Sequence, residues 1–291
     1  MKAKTSTKTY TIILFYKFIG IKNPEKLRKD QKSLCESLNL KGRFIIAEEG
    51  INATLEGETK DIKKYMRALH SMSRFKDVVF KQSIGTGKGF TKLMVKVRPE
   101  VVTLGVGTLN IKRDTAKAIS PVQLEKMYKK DEDFVVLDLR NEFEIETGRF
   151  EKTVSPNLKN FRDLPAQLKT IKHLKKQKVI TVCTGGIRCE KATCYLKQKG
   201  FTDLYQLKDG IHAYMQKYPN KHFKGSLFVF DNRMTTSVVD AKGREVVGKC
   251  VYCNKPCEDF YNDDSTRPST KVICCSKCIK RQHQLRPAVS L

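Results

Sequence analysis

Hydrophobic positions in the first hundred residues alternate between two periods. Thr9–Tyr16 is rich in β-branched and aromatic residues and reads as a strand. Asn23-Pro24 then opens a helix, with Pro in its first turn and Leu27, Leu34 and Leu38 on one face. Arg43–Ala47 and Asn52–Leu55 flank Glu48-Glu49-Gly50-Ile51, which reads as a glycine-containing hairpin connection. A second helix carries Ile62, Tyr65, Met66 and Leu69 at i, i+3, i+4 and i+7, with Thr59 as its N-cap. Val78–Lys81 and Lys92–Val97 supply further strands. The order β-α-β-β-α-β over residues 1–104 predicts a ferredoxin-like sandwich, a fold that hosts many functions.

The pattern then changes. Residues 105–119, with Gly105, Gly107, Lys112 and Arg113, show no clear period and read as a basic linker. Ser120-Pro121, followed by Leu124 and Met127, starts a helix that leads into Phe134–Leu137, a short apolar run typical of a buried parallel strand. Val179–Val182 is a second such run, followed by a helix from about Cys189 to Lys199 that Gly200 caps. Leu204–Leu207 gives a third strand. Strands alternating with helices over residues 120–220 predict an α/β domain with a parallel sheet. Residues 221–291 are richer in Cys, Asn and Asp and form a small Cys-rich region.

Composition narrows the partners. The chain has 57 Lys+Arg against 31 Asp+Glu, a net charge of +26. That excess predicts a polyanionic partner, nucleic acid first and an anionic membrane surface second. No stretch reaches the roughly 20 apolar residues of a membrane span, so no membrane insertion is expected. Ile12–Tyr16 follows a basic start but is too short for a signal-peptide core of about 7–15 residues, and no small-residue cleavage site follows. The expected location is the cytoplasm, where the ten cysteines are reduced, metal-bound or reactive rather than disulfide-paired.

The richest stretch is Val179–Ala192. A buried strand ends at Cys183, the loop Thr184-Gly185-Gly186-Ile187-Arg188 follows, and a helix begins. In open α/β sheets, ligands bind outside the carboxyl ends of strands, where Cys183 falls. Gly185 and Gly186 let successive backbone N–H groups turn inward as an anion nest, and the helix N-terminus adds its positive dipole end. With Arg188, both favour the thiolate, which is the nucleophile. Cys183 and Arg188 form C-x4-R, tighter than the C-x5-R cradle of cysteine phosphatases. Val182 also stands where those enzymes usually carry His, so phosphatase chemistry is disfavoured. Cys189 is a candidate resolving thiol for Cys183. Cys35 and Cys194 read as core residues.

Residues 120–218 resemble the rhodanese superfamily. The resemblance rests on the loop and on Val135–Glu144 with Gly148-Arg149-Phe150, where Arg149 replaces the family's usual His. It implies a persulfide-carrying Cys183 cradled by the loop amides, with Asp138 and Arg140 in structural roles beside them. Four stretches are similar to a narrower group: Cys183–Ala192 (CTGGIRCEKA), Gly50–Thr54, Asn160–Pro165 and Phe228–Arg233. That group is the rhodanese-like, oxygen-dependent tRNA uridine hydroxylases, which install 5-hydroxyuridine at the anticodon wobble position. The resemblance implies an acylphosphatase-like N-domain, a rhodanese domain and a Cys-rich tail. It also implies the tRNA anticodon region as partner and molecular oxygen as co-substrate. Asp209-Gly210 stands where the family usually has Gly-Gly.

In the tail, Cys250-x2-Cys253 and Cys275-x2-Cys278 have the spacing of a four-thiolate structural zinc site. Cys257 and Cys274 are additional, and His283 is a substitute ligand candidate. The family's further cysteines between the two pairs are replaced here by Asn262–Pro268, which favours a single metal ion. Lysines cluster at 169, 172, 175, 176 and 178, and basic residues again at Lys277, Lys280, Arg281 and Arg286. No flavin fingerprint, haem-attachment motif or iron triad is present. The leading expectation is therefore a tRNA uridine hydroxylase that uses Cys183. The rivals are a sulfurtransferase carrying a Cys183 persulfide and an RNA-binding protein with an idle rhodanese domain.

Overall fold

In the computed structural model, which describes residues 8–239, 243–267 and 269–288, the chain divides into two units between Val101 and Val102. The first contains β1 (Tyr10–Phe18), α1 (Pro24–Ser37), β2 (Lys41–Ala47), β3 (Gly50–Glu58), α2 (Thr59–Ser71), β4 (Lys81–Gly85) and β5 (Leu93–Val97). The sheet order is β4-β1-β3-β2-β5, antiparallel except for β2 with β5. This is the ferredoxin-like sandwich with one added edge strand. Asn23 caps α1 by accepting the Lys26 N–H at 2.9 Å, and Pro24 occupies the first turn. Ile13, Phe15, Phe44 and Leu55 from the sheet pack with Leu27 and Cys35 of α1 and Ile62, Tyr65 and Leu69 of α2.

Two local expectations change. The N-cap of α2 is Glu58 rather than Thr59. The Thr59 hydroxyl instead donates to Thr9 O at 3.1 Å, tying the helix start to the beginning of β1. The apolar run Val78–Lys81 is not a strand either. Val78 closes a turn onto Phe75 O and Val79 is 51% exposed; the ladder with β1 begins at Lys81 opposite Leu14. Apolar content marked core packing there, not strand pairing.

The second unit starts with α3 (Ile111–Asp114), β6 (Lys117–Ile119), α4 (Pro121–Lys129), β7 (Val135–Asp138), α5 (Glu142–Ile145), β8 (Gly148–Phe150) and β9 (Thr153–Val154). It continues with α6 (Leu164–Gln167), β10 (Val179–Val182), α7 (Ile187–Gln198), β11 (Leu204–Leu207) and α8 (Gly210–Lys217). The main sheet is parallel throughout, in the order β6-β11-β10-β7-β9. Both faces are covered. Leu137 and Val179 pack toward Ala192 and Leu196 of α7, while Val136, Ile180 and Val182 pack toward α4 and α8 through Leu124, Ile211 and Tyr214. Burial on both sides is why these strands are continuous apolar runs.

Residues 105–119 are more than a connector. They supply β6, which pairs with β11, and place Ala116 in the same core as α7. A three-residue strand and a four-residue helix are too short to show a period. The Cys-rich region is likewise built into this unit. Its strand β12 (Phe223–Gly225) pairs with β8, β13 (Leu227–Phe228) pairs with β14 (Thr235–Thr236), and β15 (Phe260–Asp263), β16 (Thr270–Ile273) and β17 (Leu285–Pro287) form a separate sheet. Among the described residues, no helix is long and apolar enough to cross a membrane.

Candidate active site

Cys183 follows the last residue of β10, at the carboxyl edge of the parallel sheet, and is 1% exposed. Its Sγ accepts the Gly186 N–H at 3.2 Å. Gly186 has φ +101°, a left-handed conformation that glycine adopts without strain, and from there the chain enters α7. Burial alone would push the Cys183 thiol up. The Cys189 thiol that donates to it, the Arg188 guanidinium and the backbone N–H groups of Arg188 and Cys189 outweigh that cost and bring it down to about 5. Cys189 moves the opposite way. Burial first, and then the neighbouring Cys183, push its thiol well above the ordinary range. The two sulfurs thus divide the roles, with Cys183 as thiolate and Cys189 as the thiol that donates to it.

Arg188 is held by a partner 44 residues earlier. Nη1 donates to Glu144 Oε1 at 2.6 Å and Nη2 to Oε2 at 2.8 Å, and Nη2 also reaches Thr184 Oγ1 at 3.2 Å. Burial works against the guanidinium charge, but Glu144 more than compensates and strengthens its hold on the proton. Glu144 Oε1 additionally accepts the Asn141 N–H at 2.9 Å, which fixes the carboxylate over the first turn of α5. The backbone of that turn is set by a second buried ion pair. Arg140 donates to Asp138 through Nε at 2.9 Å and Nη2 at 2.6 Å, and also to Glu144 O at 3.1 Å and Gly148 O at 2.7 Å. Asp138 and Arg140 therefore position α5, and α5 positions Arg188.

The back of the loop rests on α8. Ile211 N–H donates to Cys183 O at 3.0 Å and His212 N–H to Thr184 O at 3.1 Å. Gly210, at φ +70°, is so close that a Cβ there would lie 2.6 Å from Cys183 O and 2.7 Å from Gly186 N and Thr184 O. Asp209 precedes it at φ +60°, a conformation in which Asp is among the better-tolerated residues. Of the Asp209-Gly210 pair, only the second position requires glycine.

The four paired tail cysteines converge. The Sγ atoms of Cys250, Cys253, Cys275 and Cys278 all lie within 4.8 Å of one another, with Cys253 and Cys275 at 3.7 Å. A tetrahedral metal with bonds of about 2.3 Å sets its sulfurs about 3.8 Å apart, so the donor set and its spacing fit a metal ion. Burial works against the Cys250 thiolate, but nearby backbone N–H groups outweigh it and bring the thiol down to about 6, and nearby backbone N–H groups lower the Cys275 thiol in the same way. Cys257 and Cys274 pack beside this cluster and are not in it; His283 is not in it either. All ten cysteines are free. Lys169, Lys172 and Lys176 are exposed, while Lys178 pairs with Glu132 at 3.3 Å.

Glu144 is the residue that motif reading passes over. An Asn-x-x-Glu step after a buried strand signals a helix start, but nothing local tells that its carboxylate reaches a second loop.

Comparison with known proteins agrees with this division of the chain. Family models described as "UPF0176 acylphosphatase like domain", "Rhodanese-like domain" and "Rhodanase C-terminal" match residues 10–101, 120–217 and 224–288. A protein named tRNA uridine(34) hydroxylase from the Aster yellows witches'-broom phytoplasma is 38% identical over 277 residues, 93% of this chain and 89% of its own length. One of the same name from Corynebacterium kroppenstedtii is 41% identical over 276 residues, 92% of this chain and 93% of its own length. Among solved structures, a rhodanese-like domain protein from Staphylococcus aureus aligns at 23% identity and a TM-score of 0.30, over 34% of this chain and 90% of that one.

Proposed function

The chain belongs to the tRNA uridine(34) hydroxylase family, and from that premise we propose that it hydroxylates the wobble uridine of tRNA with Cys183 as the reacting residue. The observation that carries this reading is the buried Cys183 sulfur at the carboxyl edge of the parallel sheet, accepting the Gly186 N–H at 3.2 Å, in a chain that matches the hydroxylases along nearly their whole length. Converting a pyrimidine C5–H to C5–OH with dioxygen takes up two electrons and two protons and releases water. Oxygen is the co-substrate in this scheme, and a two-electron reductant is a required co-reactant. A thiolate suits the chemistry in two ways: it adds to C6 of a pyrimidine and so raises electron density at C5, or it carries oxygen as a sulfenic acid. In the second case thiol, dioxygen, two electrons and two protons give the sulfenic acid and water, and passing its oxygen to C5–H returns Cys183 to the thiol. Condensation with the Cys189 thiol is the unproductive branch, in which that oxygen leaves as water and a disulfide forms.

The positive charge then serves to hold an RNA. Lys169, Lys172 and Lys176, together with Lys277, Lys280 and Arg281, present exposed cations for the backbone around the anticodon. We assign zinc to the four-cysteine cluster, where it cross-links two chain turns and takes no part in the reaction. A tRNA substrate and ten free thiols both suit the cytoplasm.

A sulfurtransferase reading draws on the same depressed thiol, because loop N–H groups also stabilise a persulfide. Mass spectrometry of tRNA nucleosides separates the two. A deletion strain that loses 5-hydroxyuridine derivatives supports the hydroxylase, and unchanged modification rejects it.

A further inference from the structure

Phe230 lies beside the Cys183 loop and is 42% exposed. The Arg188 guanidinium sits over its ring, 6.0 Å from the centroid. The ring also meets Phe228 edge to face at 5.2 Å, and Phe228 meets Phe143 and Phe260 at 5.0 Å each. Phe228 and Phe260 are buried, so packing accounts for them. Phe230 ends this aromatic row in water, where an apolar ring forgoes the free energy of burial.

The segment that carries the ring is tied by its own hydrogen bonds. Asp231, itself buried, accepts the Arg233 N–H at 3.1 Å and the Arg233 guanidinium through Nε and Nη2, both at 2.7 Å. Met234 N–H donates to Asp231 O at 2.9 Å, and Val229 N–H donates to Met234 O at 2.8 Å across the turn between β13 and β14. A ring already fixed in place loses little freedom when a ligand covers it.

Arg188 stands in the first turn of α7, five residues after Cys183, so whatever covers Phe230 lies close to the chain turn that follows Cys183. A partner for a partly exposed aromatic ring beside a fixed cation is a planar π system. Single-stranded bases are held on protein aromatic rings in this way, and a base that undergoes chemistry is first taken out of its stack. We propose that Phe230 is the platform on which the target uracil stacks while it is presented to Cys183. The assignment rests on the wobble-uridine reading above and adds a residue that binds substrate.

The test uses the full-length protein in a deletion strain. Phe230→Ala, Phe230→Leu and Phe230→Trp are compared with wild type for 5-hydroxyuridine content of tRNA, and the purified proteins for alkylation of Cys183 by iodoacetamide and for anticodon stem-loop binding. Stacking on one ring is worth roughly 5- to 150-fold in affinity. Phe230→Ala and Phe230→Leu are expected to lose at least fivefold in stem-loop affinity and to lower modification, with Cys183 alkylation unchanged. Phe230→Trp is expected to stay near wild type in all three. Any outcome in which Trp does no better than Leu, or in which the losses follow a fall in Cys183 alkylation, overturns the proposal. If wild type itself restores no 5-hydroxyuridine, the hydroxylase reading fails, and Phe230 with it.

Discussion

Arg188 and Glu144 form a bidentate ion pair inside the second unit, joining the helix after the reactive cysteine to the helix after the neighbouring strand. Its geometry matters more than its net energy, since desolvation offsets much of the attraction between buried charges. Removing one member is different, because it strands the other.

Glu144→Ala should therefore destabilise the second unit by about 3–5 kcal/mol, the usual cost of an unpaired buried charge. Urea unfolding followed by fluorescence reads this as a lower midpoint. An unchanged midpoint would mean that the pair does not hold the loop.

The depressed Cys183 thiol gives a pH dependence of known sign. Its alkylation by iodoacetamide, followed on the Cys183 peptide, should rise through a midpoint near 5 and be flat above pH 7. Cys189→Ala removes a donor to the thiolate and should move the midpoint upward. Because the folded value lies below the unfolded one of about 8.5, the thiolate contributes stability that is fully present above that value. This contribution is lost as pH falls through 5, so the stability gap between wild type and Cys183→Ala should narrow toward acid. A midpoint near 8.5 in wild type would contradict the site electrostatics.

The Asp209-Gly210 pair predicts unequal tolerance. Gly210→Ala would place a Cβ within 2.6–2.7 Å of three loop backbone atoms and should lower both thermal stability and the Cys183 reaction rate. Backbone strain at a positive φ alone costs about 1–2 kcal/mol. Asp209→Gly should stay within about 1 kcal/mol of wild type. Equal effects at the two positions would argue against the close contact.

How much of this was legible beforehand depends on the range of the interactions. Val179–Val182 and Leu204–Leu207 appear in the structure with the same bounds that their apolar runs mark, because a strand buried on both faces is sharply edged in sequence. The helix start at Ser120-Pro121 is equally local: the Ser120 hydroxyl accepts the Gln123 N–H at 3.2 Å. β6 was hidden because three residues show no period, and β15 to β17 because they are strands of three or four residues that mix polar and apolar side chains. Cys183 could be singled out from its neighbours in sequence. Glu144 and Phe230 lie in stretches that the family resemblance marks, but their relation to Arg188 arises only through the fold.

Metal analysis checks the tail. About one zinc per chain is expected in protein purified without chelator, and Cys253→Ser should bind it far more weakly. Removing the metal should lower the stability of the second unit, which contains the β15–β17 sheet. A zinc content well below one would rule the assignment out.

The central claim is that Cys183 carries the hydroxylation of the wobble uridine, and the most direct measurement is nucleoside mass spectrometry of tRNA from a deletion strain complemented in parallel with wild type and Cys183→Ala. Wild type should restore 5-hydroxyuridine derivatives, and Cys183→Ala, expressed at the same level, should leave them absent. Full restoration by Cys183→Ala would contradict the account.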